Sequence, residues 1–148
     1  MNVLSLFDGM SCGQLALERA SVKYNNYFAS EIKPIAIKVA KQNYPNTIHI
    51  GDVTKLDLSR LPKIDLLIGG SPCQDFSILK AKGLGLEGDK SKLFYEYLKI
   101  LKQIKPKYFL LENVKMKKES EQQLNEYLGI EGLHINSELV SYQKRPRI

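Results

Sequence analysis

The 148-residue sequence has no tryptophan and only two cysteines and two histidines. With no cysteine or histidine pair at metal-ligand spacing, a structural zinc site is not expected. Cys12 and Cys73 could pair, but the N-terminus, MNVLSLFDGM, has no basic region followed by a cleavable apolar segment. It therefore does not read as a secretory signal, and a reducing, cytoplasmic setting is the expectation. No apolar run approaches the roughly 20 residues needed to cross a bilayer, so no membrane role is expected. Acidic residues are the minority, 16 against 22 lysines and arginines, for a net charge of +6. That surplus fits a polyanionic partner, nucleic acid above all, and it equally fits a lysine-rich solvated surface. With 43% hydrophobic and 26% charged residues, the chain reads as soluble and globular, and its length as one domain.

Apolar runs alternate with helical patterns along the chain. Strands are expected over 2–7 (NVLSLF), 26–32, 47–53, 64–70 (IDLLIGG), 107–114 and 133–142. Helices are expected over 13–20, 34–44, 90–104 and 119–130, the second opening on Pro34 at a favoured first-turn position. IDLL does not alternate, as in a strand buried on both faces. Strand and helix in alternation predict an α/β fold, a mostly parallel sheet with helices on both faces. Residues 71–89, with Gly83, Gly85 and Gly88, read as a long mobile loop of the functional or disordered kind.

In open parallel sheets, ligands bind beyond the carboxyl ends of the strands. Here the first strand runs into FDGMSCG (Phe7 to Gly13), the second ends in Glu31, the third in Gly51-Asp52-Val53, the fourth in GGSPCQ and the fifth in Glu112-Asn113-Val114. The first turn allows close backbone approach to a ligand but is not the three-glycine dinucleotide pattern, so no pyrophosphate is required. An acid closing the second strand suits a ribose diol, and Asp52 could accept from an adenine amino group. Each acid alone fits a cap or solvated loop residue as well. Cys73 fits a packed structural thiol or a nucleophile; unassisted, a thiol is only about 3% thiolate at neutral pH. A carboxyl at Glu112, beside an apolar strand end, is expected to favour its protonated form and to donate to a ring nitrogen. The tail Gln143 to Arg147 (QKRPR) fits a disordered basic tail, or an extended segment with Arg145 and Arg147 on one side.

In this order, the motifs resemble the cytosine-C5 DNA methyltransferases: FDGMSCG the first cofactor motif in the form seen in Dnmt3-like, phage and bacterial members, SPCQDFS the Pro-Cys nucleophile motif, ENV the glutamate motif, and QKRPR the Gln-x-Arg-x-Arg motif. The resemblance spans nearly the whole chain. It implies a Rossmann-like S-adenosylmethionine-dependent methyltransferase fold lacking its last strand. It implies S-adenosylmethionine as methyl donor and S-adenosylhomocysteine as product, held by Phe7, Asp8, Gly9, Met10, Ser11, Cys12, Glu31, Ile32, Asp52, Val53 and Leu93. The implied catalytic residues are Cys73, which adds to C6 of a cytosine flipped out of duplex DNA; Glu112, which bonds N3 and the exocyclic amine; and Gln143, Arg145 and Arg147.

Two departures follow from the same likeness. DKSKLF (Asp89 to Phe94) carries lysines where relatives usually have an arginine. Family members continue well beyond Ile148 into a further strand, a target-recognition domain and closing motifs. The chain is therefore expected to be an incomplete catalytic domain over 1–148: half of a split enzyme, a truncated product or a fragment. A complementing chain is expected, with an open sheet edge inviting a partner or second copy, and a nucleoid-associated location. Two alternatives stand beside this reading: a non-catalytic methyltransferase-like scaffold, and a Dnmt2-like tRNA methyltransferase.

Overall fold

The computed structural model describes residues 1–71 and 92–148. They fall into two compact units, Met1–Gly70 with Lys99–Leu111, and Ser71–Leu98 with Glu112–Ile148. The first unit is a sheet of β1 (Asn2–Leu6), β2 (Asn26–Ser30), β3 (Ile48–His49), β4 (Leu66–Gly69) and β5 (Tyr108–Leu111), in the order β3-β2-β1-β4-β5. Every neighbouring pair is parallel.

The local sequence explains the central strands. In β1, Val3, Leu4 and Leu6 have no exposed surface, and in β2 Tyr27 to Ser30 are all buried. A middle strand of a covered parallel sheet needs apolar or small residues on both faces. Burying each large side chain contributes about 1.5–3 kcal/mol. Helices α1 (Cys12–Arg19) and α2 (Pro34–Asn43) carry the chain from β1 to β2 and from β2 to β3. Pro34 opens α2, and Ala36 and Ala40, four residues apart, form its buried face. Val3, Tyr27 and Ala29 make a cluster that Leu17 of α1, Tyr24, Leu66 and Ile68 pack against. Strand order runs outward in one direction through β2 and β3 and in the other through β4 and β5. With right-handed crossovers, this is a doubly wound sheet whose switch point lies between β1 and β4.

Helix α3 (Lys92–Ile104) begins in the second unit and ends in the first. The second unit also holds α4 (Lys118–Leu128), which stops at Gly129 in the left-handed conformation, φ 69°, where glycine carries no Cβ penalty. Tyr127 of α4 meets the rings of Phe94 and Tyr95 with centroids 6.3 and 5.9 Å apart. Two short strands, β6 (Ile135–Asn136) and β7 (Pro146–Arg147), pair antiparallel.

Two expected strands differ. The third is shorter than 47–53: after His49, the left-handed Gly51 (φ 80°) turns the chain, and Asp52 caps a 3-10 turn over Val53–Lys55. The run 133–142 does not join the parallel sheet. Only Ile135–Asn136 is extended; Asn136 then caps a 3-10 turn, Ser137–Leu139, and Ser141 Oγ donates to the Ser137 carbonyl at 3.0 Å. Short polar side chains bonding to nearby backbone compete here with ladder pairing. The expected loop over 71–89 lies, apart from Ser71, outside the described residues.

Candidate active site

The chain leaves β1 through a turn in which Phe7, Gly9 and Ser11 all have positive φ, 57°, 61° and 63°. For the two non-glycine residues this conformation costs about 1–2 kcal/mol each, and surrounding bonds hold it. The Asp8 N–H donates to the Ser30 carbonyl at 3.1 Å. Asp8 Oδ1 accepts from the Tyr27 hydroxyl at 2.8 Å, and Oδ2 accepts from the Ser11 hydroxyl. The Gly9 N–H donates to Glu31 Oε2 at 2.8 Å. Ser11 is fully buried, whereas Met10 is 54% exposed and Cys12 carries an exposed free thiol.

Glu31 follows β2 directly. Besides Gly9, it accepts the Ile32 and Lys33 N–H groups on Oε1 at 2.8 and 2.9 Å. A carboxylate has about four acceptor positions, so one remains for a hydroxyl of a bound ligand. Ile32 beside it is 66% exposed. Beyond β3, Asp52 Oδ1 accepts the Thr54 N–H and hydroxyl, both at 2.9 Å. These two bonds, the backbone one first, hold its carboxyl below the usual aspartate range; Val53 next to it is buried. The turn, Glu31 and Asp52 thus stand at the carboxyl ends of three strands that neighbour one another as β1, β2 and β3. An open turn, a carboxylate with one acceptor left and an ionised second acid fit a nucleoside with a free ribose diol and an amino-bearing base. They do not require a phosphate.

In the second unit, Glu112 follows β5 and its Oε1 forms an ion pair with Arg147 Nε. Glu112 is 48% exposed and Arg147 23%. Among the described residues, the partner of its carboxylate is thus a guanidinium. The pair is set by backbone: the Asn113 N–H donates to the Ile148 carbonyl at 2.7 Å, and the Ile148 N–H returns to the Asn113 carbonyl at 3.0 Å. Val114 also bridges to Arg147. Arg145 is exposed, its N–H donating to Asn136 Oδ1 at 2.8 Å, and the exposed Gln143 accepts from the Ser137 hydroxyl through its carbonyl. Leu93, in the first turn of α3, is half-buried. Cys73 lies outside the described residues.

Two residues gain a role that sequence reasoning did not assign. Asn113, 2% exposed, donates from Nδ2 to the buried Ser71 Oγ at 3.4 Å; Ser71 is two positions before Cys73 in the chain. The signal was present as the polar middle residue of ENV. Tyr27, read only as part of a strand, binds Asp8; a tyrosine in a central strand, which needs a partner for its hydroxyl, was the available clue. Among the described residues, no cluster of three or more His, Cys, Asp or Glu could hold a metal, and no helix is long and apolar enough to cross a membrane.

A parallel, doubly wound sheet with this chemistry at its strand ends is the Rossmann-like architecture of S-adenosylmethionine-dependent methyltransferases. The solved S. pombe Dnmt2 methyltransferase superposes with a TM-score of 0.72 over 99% of this chain and 47% of its own, at 22% identity. Residues 1–136 match the family described as C-5 cytosine-specific DNA methylase, and the chain belongs to that family. Among curated relatives, the type II methyltransferase M.NlaIV of Neisseria lactamica is 45% identical over 115 residues, covering 75% of this chain and 27% of that protein. The orphan methyltransferase M.Rho11sI of Bacillus phage rho11s is 42% identical over 117 residues, 78% of this chain and 23% of its own. The chain thus spans about a quarter of the length of these curated relatives.

Proposed function

We propose that residues 1–148 are the cofactor-binding and catalytic portion of a DNA cytosine-5 methyltransferase. The arrangement of the Phe7–Ser11 turn, Glu31 and Asp52 on three adjacent strand ends carries the reading. The family match and the type II methyltransferase names of the bacterial and phage relatives support it. S-Adenosylmethionine, when bound, supplies an electrophilic methyl group. Glu31 accepts from its ribose, Asp52 from its adenine amino group, and the turn with Met10, Cys12, Ile32 and Val53 lines the nucleoside.

The rest of the chemistry falls to the chain's own side chains. Cys73 thiolate adds to C6 of a flipped cytosine, making C5 electron-rich enough to react. As the base displaces Arg147 from it, Glu112 takes up a proton from solvent and donates the resulting O–H to N3, offsetting the charge that develops there, while its other oxygen accepts from the exocyclic amine. The Arg147 partnership holds Glu112 in place until the base arrives, and Arg145 and Gln143 brace the base at O2 or the nucleophile segment. After C5 is methylated, a base removes its proton and Cys73 departs with the C6–S electrons. Target recognition resides in sequence outside 1–148, on the same polypeptide or a second chain.

The test is covalent trapping. Residues 1–136 are grafted in place of the matching part of M.NlaIV, and the chimera is incubated with S-adenosylmethionine and duplex DNA containing 5-fluorocytosine. A stable protein–DNA adduct is expected, because fluorine at C5 cannot leave as a proton does. Cys73→Ser should form none; an adduct that survives that substitution rejects the nucleophile assignment.

A further inference from the structure

Tyr27 sits in β2 with 2% of its surface exposed, its ring packed with Val3 and Ala29. Its hydroxyl leaves that apolar cluster and donates to Asp8 Oδ1 at 2.8 Å. Burial first, then the Asp8 charge, pushes its pKa far above the ordinary phenol range, so the donor stays protonated. The other Asp8 oxygen takes the hydroxyl of Ser11. Ser11 is the N-cap residue of α1, yet its side chain makes no capping bond to the helix; the oxygen that ordinarily serves a helix amide is turned onto the turn instead. Gly13, in the first turn of α1, lies over the same phenol: a Cβ there would be 2.7 Å from the Tyr27 oxygen. The hydroxyl therefore meets β1's turn and the start of α1 at once. On the far side of the turn, Glu31 holds Gly9.

We propose that Tyr27 is a positioning residue for the cofactor turn: its hydroxyl anchors Asp8, and Asp8 through Ser11 keeps the turn, with Phe7, Gly9 and Ser11 left-handed, in the shape that receives the nucleoside. The proposal rests on the reading of that turn as the S-adenosylmethionine site. Tyr27 touches no cofactor atom in this account and acts only through Asp8.

Tyr27→Phe removes one oxygen and keeps the ring in its cluster. Two readouts on the 148-residue chain separate positioning from general stability. The first is calorimetric affinity for S-adenosylmethionine, in the parent, in Tyr27→Phe, in Asp8→Ala and in the double variant. Tyr27→Phe should weaken binding about tenfold, the size of one bond to a charged acceptor. In the Asp8→Ala background the same change should have no further effect, because the acceptor is gone. The second is amide exchange without ligand. The Gly9 and Ser11 amides should exchange faster in Tyr27→Phe, while Leu4 and Phe28 in the strands keep parental protection.

Equal affinity in parent and Tyr27→Phe, or a tenfold loss that persists in the Asp8→Ala background, overturns the proposal. So does exchange that rises equally in turn and strands. A parent that binds no S-adenosylmethionine, yet shows the selective loosening at Gly9 and Ser11, overturns the cofactor reading of the turn and retains the anchor.

Discussion

Glu31 accepts three backbone N–H groups, from Gly9, Ile32 and Lys33, so one carboxylate shapes the turn after β1 and keeps one acceptor position open. A glutamine in its place has one acceptor oxygen, and its amide nitrogen is turned against at least one N–H. Bonds to charged acceptors are worth about 1.5–3 kcal/mol. Glu31→Gln is therefore expected to lower unfolding stability by about 1–3 kcal/mol in urea titrations and to weaken S-adenosylmethionine binding at least tenfold. His49 gives a second expectation. Both its ring nitrogens are shielded and have no hydrogen-bond partner among the described residues. Burial, then the Lys41 charge, pushes its pKa below 6.5, with Asp8 opposing. A histidine whose folded pKa is depressed contributes stability above the unfolded pKa, and that contribution is lost as pH falls toward the folded value. Urea midpoints should therefore decline as pH drops below about 6.5, and His49→Leu should flatten that decline.

At the level of elements, the second unit is tied by Ile148 against Asn113, a reciprocal backbone pair that sets Arg147 opposite Glu112. Gly132 leaves room for it: a Cβ there would meet Ile148 Cγ1 at 2.5 Å and Cδ1 at 2.6 Å. Gly132→Val should displace that side chain and cost about 1–3 kcal/mol of overpacking. Amide exchange at Asn113 and Ile148 should rise, and unchanged protection there would show that the glycine is not needed for the fit. Much of the element pattern could be read beforehand. β1, β2 and α2 fall within two residues of their expected bounds, because a mostly apolar run and a first-turn proline are local signals. The run 133–142 could not be read, since Asn136, Ser137 and Ser141 spend their side chains on nearby backbone and hydropathy does not register that. The Glu112 setting was also hidden: its partner Arg147 is brought to it by pairing across 35 positions. Tyr27 was hidden for the same kind of reason, because its value depends on β2 standing in register beside β1.

For the whole molecule, the acids at three strand ends were visible from the order of motifs, and the sheet places them side by side. The segment around Cys73 was visible as a motif and lies outside the described residues. The net charge of +6, read with a DNA substrate, predicts electrostatic duplex binding. Affinity for a non-specific duplex, measured by fluorescence anisotropy, should fall linearly in log–log form as salt rises. Binding that is insensitive to salt would assign the surplus lysines to a solvated surface instead. Titration calorimetry of the 148-residue chain with S-adenosylmethionine tests the proposed nucleoside site most directly. The prediction is saturable one-to-one binding that Asp52→Ala weakens at least tenfold; no saturable binding, or equal affinity in parent and variant, would contradict it.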